Sequence, residues 1–328
     1  MDLSAYLDRI NYRGDRLPTS ETLRQLHLAH VLAVPFENLD NFLGRAVSLE
    51  PADLFAKIVV ARRGGYCFEL NGLFSLLLEA LGFPVTRMIA RVRYGSKPPY
   101  ARSHQVLLVT MQGESWLVDV GFGGNGLLEP FPLVAGHVAR QLGEQFRLVS
   151  AEQDAYLLQC LVHDEWESLY SFSPEPCQPV DYRYANYFHS HSPDSLFMQR
   201  RICILPTLEG RKTLVDQSLS MRRNGKNEKS VADSDPAYAR MLQEHFGIVL
   251  PRALSDHQQP HQSHAAHIER ERAGHRRPKA EAWDADNHGN DIDRPGRNEP
   301  QQIFRVADDG VMATVQVNQD KGRAGDGW

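Results

Sequence analysis

The hydrophobic pattern of this chain changes period once, sharply, at Gly82-Phe83-Pro84. Before that point apolar residues recur at helical spacing. Leu23, Leu26, Leu28, Ala29 and Leu32 follow a Ser/Thr cap at Thr19-Ser20, and Pro35 stops the run. A second helix is predicted over residues 67–81, where Phe68, Leu73, Phe74, Leu77, Leu78 and Leu81 are apolar and Gly82-Phe83-Pro84 supplies the end. After it the apolar runs are short and strand-like, at residues 85–94, 106–111 and 116–120, with Gly and Pro in the turns. Helices first and strands second make this an α+β chain.

The same reading divides the chain. Residues 1–84 form a helical unit and residues 85–203 a β-rich one. In residues 204–251, strands over 213–221 and beyond Asn224-Gly225 are joined by favoured hairpin chemistry, and an amphipathic helix covers 236–246. Residues 252–328 have few apolar positions and no period, so burial cannot offset the entropy of ordering them, and a disordered tail is expected. Local strands are possible there at residues 303–306 and 311–317. The histidines clustered in the tail are read as solvated polar residues rather than metal ligands.

With 328 residues, 42% hydrophobic content and a net charge of −5, the chain has enough material for a large core and no basic field for nucleic acid or anionic membrane. Its longest apolar stretches, such as residues 76–81, are far shorter than the ~18 residues a membrane helix needs. Cys67, Cys160, Cys177 and Cys203 lack metal-ligand spacing, and a chain of this size needs no disulfide staples. A cytoplasmic enzyme acting on small molecules, without a metal, fits these features.

The stretch Arg63-Gly64-Gly65-Tyr66-Cys67-Phe68-Glu69-Leu70-Asn71 carries the chemistry. Two glycines allow a tight approach of backbone, and Cys67 stands at the start of a helix, whose positive end favours a thiolate. Downstream, a turn at Gln112-Gly113 would pair Val106 with Asp119 and place His104 diagonal to Asp119 on one face. Both faces of this hairpin are apolar, so a buried Asp needs a hydrogen-bonding partner, and His104 can be that partner. In a Cys–His–Asp set the imidazole takes the thiol proton and the carboxylate orients the ring.

These motifs resemble those of the arylamine N-acetyltransferases. Residues 63–71 match the R-G-G-x-C-x-E-x-N signature, Ser103-His104-Gln105 the histidine strand, and Val118-Asp119-Val120-Gly121-Phe122-Gly123 the aspartate strand. Pro35-Phe36-Glu37-Asn38-Leu39 and Ser195-Leu196-Phe197 are similar to further family segments. The resemblance implies an N-terminal helical bundle, a β-barrel and an α/β lid around a core like that of cysteine proteases and transglutaminases. It implies acetyl-CoA as donor, arylamines or hydrazines as acceptors, and a ping-pong cycle through a thioester on Cys67, with His104 as base and Asp119 as orienting group. Phe36, Phe122 and Phe197 match positions lining an aromatic pocket. Gly123 and Gly124 are candidates for close backbone approach to the CoA pyrophosphate. Arg63 and Glu69 are expected to pair beneath the cysteine in a structural role.

Alternatives remain at this stage. The same triad serves papain-like or transglutaminase-like hydrolases, although papain-type enzymes place the histidine about 130–150 residues after the cysteine, much farther than from 67 to 104. An amide synthase using another acyl donor, or a binding protein that keeps the fold without catalysis, also fits the residues.

Overall fold

The computed structural model describes residues 1–94, 101–152 and 155–250, together with backbone strands at Ile303–Val306 and Met312–Val315 that pair with each other. Apart from those strands, the expected disordered tail and its histidine cluster lie outside the described residues.

Helix α1 (Leu3–Arg9) is followed by α2 (Ser20–Ala33), which the Thr19 hydroxyl caps by accepting the Thr22 N–H at 3.1 Å. Next come a two-residue strand β1 (Phe36–Glu37), α3 (Leu39–Phe42), and α4 (Pro51–Phe55), which runs into a π-helical turn at Ala56–Val60. Helix α5 (Cys67–Ala80) is the centrepiece. Its Leu70, Leu73, Phe74, Leu77 and Leu78 are all fully buried, against Leu23 and Leu26 of α2 and Tyr6 of α1 in one continuous core.

Eight strands follow or flank the period change: β2 (Val85–Val92), β3 (Arg102–Met111), β4 (Glu114–Val118), β5 (Phe131–Pro132), β6 (Val138–Gln141), β7 (Glu144–Ser150), β8 (Tyr156–Val162) and β9 (Glu165–Phe172). They form one antiparallel sheet in the order β5-β4-β3-β2-β9-β8-β7-β6, nearly closed into a barrel. Strand β3 is buried on both faces because it separates two cores. Leu107 and Val109 point to the helical core, whereas Val106 joins Met88, Leu117, Phe146 and Tyr170 in the sheet's own interior. The β3–β4 turn is Gln112-Gly113 as expected, with Leu107 opposite Val118 and Met111 opposite Glu114.

The remainder departs from the sequence reading in two places. Helices α6 (Tyr182–His191) and α7 (Leu196–Gln199) occur within the stretch read as strands. Residues 213–221 are not one strand, because Asp216 turns the chain with φ 52° between β11 and β12. A five-stranded sheet results, with β10 (Ile202–Thr207), β11 (Gly210–Val215), β12 (Ser218–Arg223) and β13 (Lys226–Val231) in sequence after β1. Asn224 and Gly225, both at positive φ, close the β12–β13 hairpin, and α8 (Asp235–Phe246) ends at Gly247 with φ 68°. No helix among the described residues is long and apolar enough to cross a membrane.

Candidate active site

The loop before α5 is clamped from two sides. The Gly65 carbonyl accepts the Glu37 N–H at 2.8 Å, tying the loop to β1, and Gly64 packs so tightly that a Cβ there would lie 2.0 Å from the Pro35 oxygen. The buried Arg9 guanidinium donates to the carbonyls of Ala33, Ile58 and Arg63 at 2.7, 2.9 and 3.2 Å, joining α2, the π-turn and the loop. Glu69 completes the start of α5 by accepting the Tyr66 N–H at 3.1 Å.

Arg63 and Glu69, expected to pair with each other, are instead linked at one remove. Arg63 contacts Glu37 at 2.7 Å and Asp40 at 3.3 Å, while Lys57 bridges Asp40 and Glu69 at 2.7 Å each. Burial pushes the Lys57 ammonium down, but the carboxylates of Glu69, Glu37 and Asp40 overcome this and hold it well above its ordinary value. Two cations and three acids thus form a buried frame around the loop, in which each charge has a partner.

Cys67 opens α5 and is 5% exposed. His104 lies beside it, with Nε2 at 2.7 Å from Asp119 Oδ2, while the Cys67 thiol meets the Ser103 carbonyl at 3.8 Å. Burial alone would lower the His104 pKa; the Asp119 carboxylate, with the Cys67 sulfur, raises it to about 10. Burial likewise opposes ionisation of Asp119, yet the His104 ring, the Asn71 amide and the Gly121 N–H together hold its carboxyl below the ordinary value. With Nε2 engaged by Asp119, Nδ1 is the nitrogen left to exchange a proton with sulfur.

Two residues without an assigned role in the sequence hold this arrangement. Asn71, one turn along α5 from Cys67, donates its Nδ2 to Asp119 Oδ1 at 2.8 Å and to the Gln105 carbonyl at 2.6 Å, and its Oδ1 accepts the Val120 N–H at 2.9 Å. Its place in the 63–71 signature was the available signal. His27 of α2 accepts the Asp119 N–H on Nε2 at 3.3 Å and bonds the Leu128 carbonyl through Nδ1 at 3.0 Å. Only a neutral ring does both, and burial pushes His27 down to about 4. Nothing local in the sequence marks it.

The predicted aromatic residues divide between two neighbourhoods. Phe122 packs on His104 at 5.2 Å between centroids, and with Phe36 it lines a crevice bounded by Val120, Gly123, Gly124 and Ile204. Phe197 touches Phe36 at 6.0 Å but sits with Tyr66 and His189 rather than lining that crevice. Gly123 and Gly124 have φ of 69° and 42°; a Cβ on Gly123 would strike the Phe36 ring at 2.9 Å, whereas Gly124 faces open space.

Residues 19–255 match a family profile described as N-acetyltransferase. An arylamine N-acetyltransferase from Escherichia coli strain K12 is 38% identical over 250 residues, covering 75% of this chain and 88% of the relative. The chain belongs to the arylamine N-acetyltransferase family. Among solved structures, the enzyme from M. tuberculosis superposes with a TM-score of 0.72 at 39% identity, covering 75% of this chain and 94% of its own. The Mycobacterium marinum arylamine N-acetyltransferase in complex with CoA gives a TM-score of 0.71 at 39% identity, covering 75% and 93%. Members of this family are acyltransferases.

Proposed function

We propose that this acyltransferase moves an acetyl group from acetyl-CoA to an arylamine or hydrazine through a thioester on Cys67. The observation that carries the reading is the 2.7 Å bond between His104 Nε2 and Asp119 Oδ2 next to a cysteine on the first residue of a helix. His104 Nδ1 takes the thiol proton, and Asp119 orients and stabilises the resulting imidazolium. The Cys67 thiolate then attacks the acetyl carbonyl, the bond to the CoA sulfur breaks, and that sulfur leaves with the proton held on His104. In the second half the amine attacks the acetyl-cysteine, His104 accepts its proton, and the thiol is regenerated as the N-acetylated product departs. Amides at the very start of α5, where a helix leaves N–H groups without internal partners, are the donors this reading assigns to the oxyanion.

The crevice lined by Phe36 and Phe122 suits an aromatic acceptor, with Phe197 backing Phe36. Gly124, open to space, gives the donor's pyrophosphate a backbone surface without side-chain obstruction. Support for CoA as the carrier comes from the M. marinum relative, solved in complex with it. Placement of the nucleophile on a helix start, with His104 on β3 and Asp119 just past the end of β4, is also the reason for assigning a cysteine-protease-like core, and the domain division at residues 84, 203 and 251 belongs to the same reading.

Intact-mass spectrometry after mixing with acetyl-CoA is the test. A gain of one acetyl group, lost on adding an aromatic amine and absent in Cys67→Ala, is expected. Cleavage or crosslinking of peptides without CoA would favour a hydrolase instead.

A further inference from the structure

The strand that carries His104 is irregular next to it. β2 pairs Ala90 with His104 and Arg91 with Arg102, so Ser103 is an extra residue with no partner opposite it. A bulge of this kind takes the backbone groups of the extra residue off the ladder and re-aims them. Side chains use the freed Ser103 carbonyl: His189 Nε2 lies 3.2 Å from it and Cys67 Sγ 3.8 Å.

A carbonyl oxygen only accepts, so the bond to His189 requires the tautomer with hydrogen on Nε2. Burial pushes the His189 pKa down to about 4, which leaves a neutral ring with that single N–H at neutral pH. The ring sits among Phe197, Tyr66, Phe188 and Phe68, with centroids 5.0, 5.8, 5.8 and 6.2 Å away. Tyr66 is itself secured by a hydrogen bond from its hydroxyl to Asn186 Oδ1 on α6, the helix that bears His189.

Cys67 therefore has two acceptors within reach, the Ser103 oxygen and the His104 ring. Only transfer to His104 makes a thiolate. We propose that His189 is a positioning residue for the nucleophile: by donating its Nε2–H to the bulged Ser103 carbonyl, it takes one of that oxygen's two lone pairs and weakens the acceptor that competes with His104 for the Cys67 thiol proton. This rests on the reading of Cys67 as the acetyl-carrying nucleophile. Both side chains meet the oxygen at once, Nε2 at 3.2 Å and Sγ at 3.8 Å, so the imidazole shares the two lone pairs of the carbonyl with the thiol. Without the His189 donor, the thiol becomes the nearest proton source for an oxygen that has left its ladder.

The test compares His189→Phe, which keeps a ring and drops the donor, with His189→Gln, whose amide N–H reaches about where Nε2 sits. Two rates are measured at pH 7: alkylation of Cys67 by iodoacetamide, located by peptide mapping, and acetyl-enzyme formation from acetyl-CoA, by quenched intact mass. His189→Phe should slow both about three- to tenfold, and His189→Gln should restore them to within about twofold, the effect expected of one hydrogen bond. The kcat/KM for the amine, which in a ping-pong cycle does not contain the acetylation step, should stay unchanged. Should the Phe variant not fold, His189→Asn, whose amide is too short to reach the carbonyl, replaces it in the comparison. Wild-type rates in the Phe variant, or a Gln variant as slow as Phe, would overturn the role of His189 while leaving the nucleophile intact. A wild-type protein that takes no acetyl group on Cys67 would instead bring down the nucleophile reading, and this proposal with it.

Discussion

Asn71 Nδ2 donates to Asp119 Oδ1 at 2.8 Å, so the helix that presents the cysteine also holds the carboxylate that orients the histidine. One side chain thereby couples α5 to the end of β4. Replacing it with alanine leaves a buried carboxylate short of a donor and the Val120 N–H without its acceptor. Asn71→Ala should lose about 1–3 kcal/mol of stability, measured by urea unfolding. It should also slow acetyl-enzyme formation more than it changes the KM for acetyl-CoA.

Stability should depend on pH from both sides of neutrality. His104 has its folded pKa raised from 6.5 to about 10, so its contribution is complete below 6.5 and is lost as pH rises toward 10. His27 is depressed from 6.5 to about 4, so its contribution is present above 6.5 and is lost as pH falls toward 4. Protonating His27 removes the lone pair that accepts the Asp119 N–H. Unfolding free energies across this range, in wild type against His104→Gln and His27→Gln, should show the alkaline limb flattened in the first variant and the acid limb in the second.

Two glycines are predicted to be irreplaceable for different reasons. Gly64→Ala puts a methyl 2.0 Å from a backbone oxygen and should prevent a stable fold, read as loss of a cooperative thermal transition. Gly121→Ala puts one 2.9 Å from Cys67 Cα and 2.8 Å from Asn71 Nδ2. That variant should fold with a loss of about 1–3 kcal/mol, and its Cys67 alkylation rate should fall while that of Cys177 does not.

The frame around the loop makes a further prediction. Glu37 is fully buried against Arg63. Arg63→Met strands that carboxylate and should cost about 3–5 kcal/mol in denaturant unfolding. The double variant Arg63→Met with Glu37→Leu should recover part of the loss.

What could be read from the sequence was whatever depends on local period. The stop at Gly82, the helix from Cys67 and the two-residue turn at Gln112-Gly113 are local; the ladder that turn sets stops at Leu107–Val118, short of the expected Val106–Asp119 pair, and His104 meets Asp119 through their side chains. Strand β4 ends at Val118 rather than 120 because the Asp119 N–H is taken by His27 and the Val120 N–H by Asn71, leaving none for the ladder. Contacts of that sort join side chains 92 and 49 positions from their backbone partners and leave no periodic trace. His189 escaped notice for the same reason: its acceptor exists only because a bulge frees it.

Strand β1 has a consequence for how the protein comes into being. It follows the second helix, yet among the described residues its sheet neighbour is β10, and Asn38 beside it accepts the Ile202 N–H across 164 residues. On an emerging chain, the cysteine, its helix and β1, on which their loop is seated, are all made long before β10, the strand that pairs with β1. Contacts so distant in sequence form slowly, after the entropy of closing the intervening chain has been lost. The surroundings of Cys67 are thus completed late in maturation, and a product truncated before residue 202 carries the thiol without the support that gives it direction.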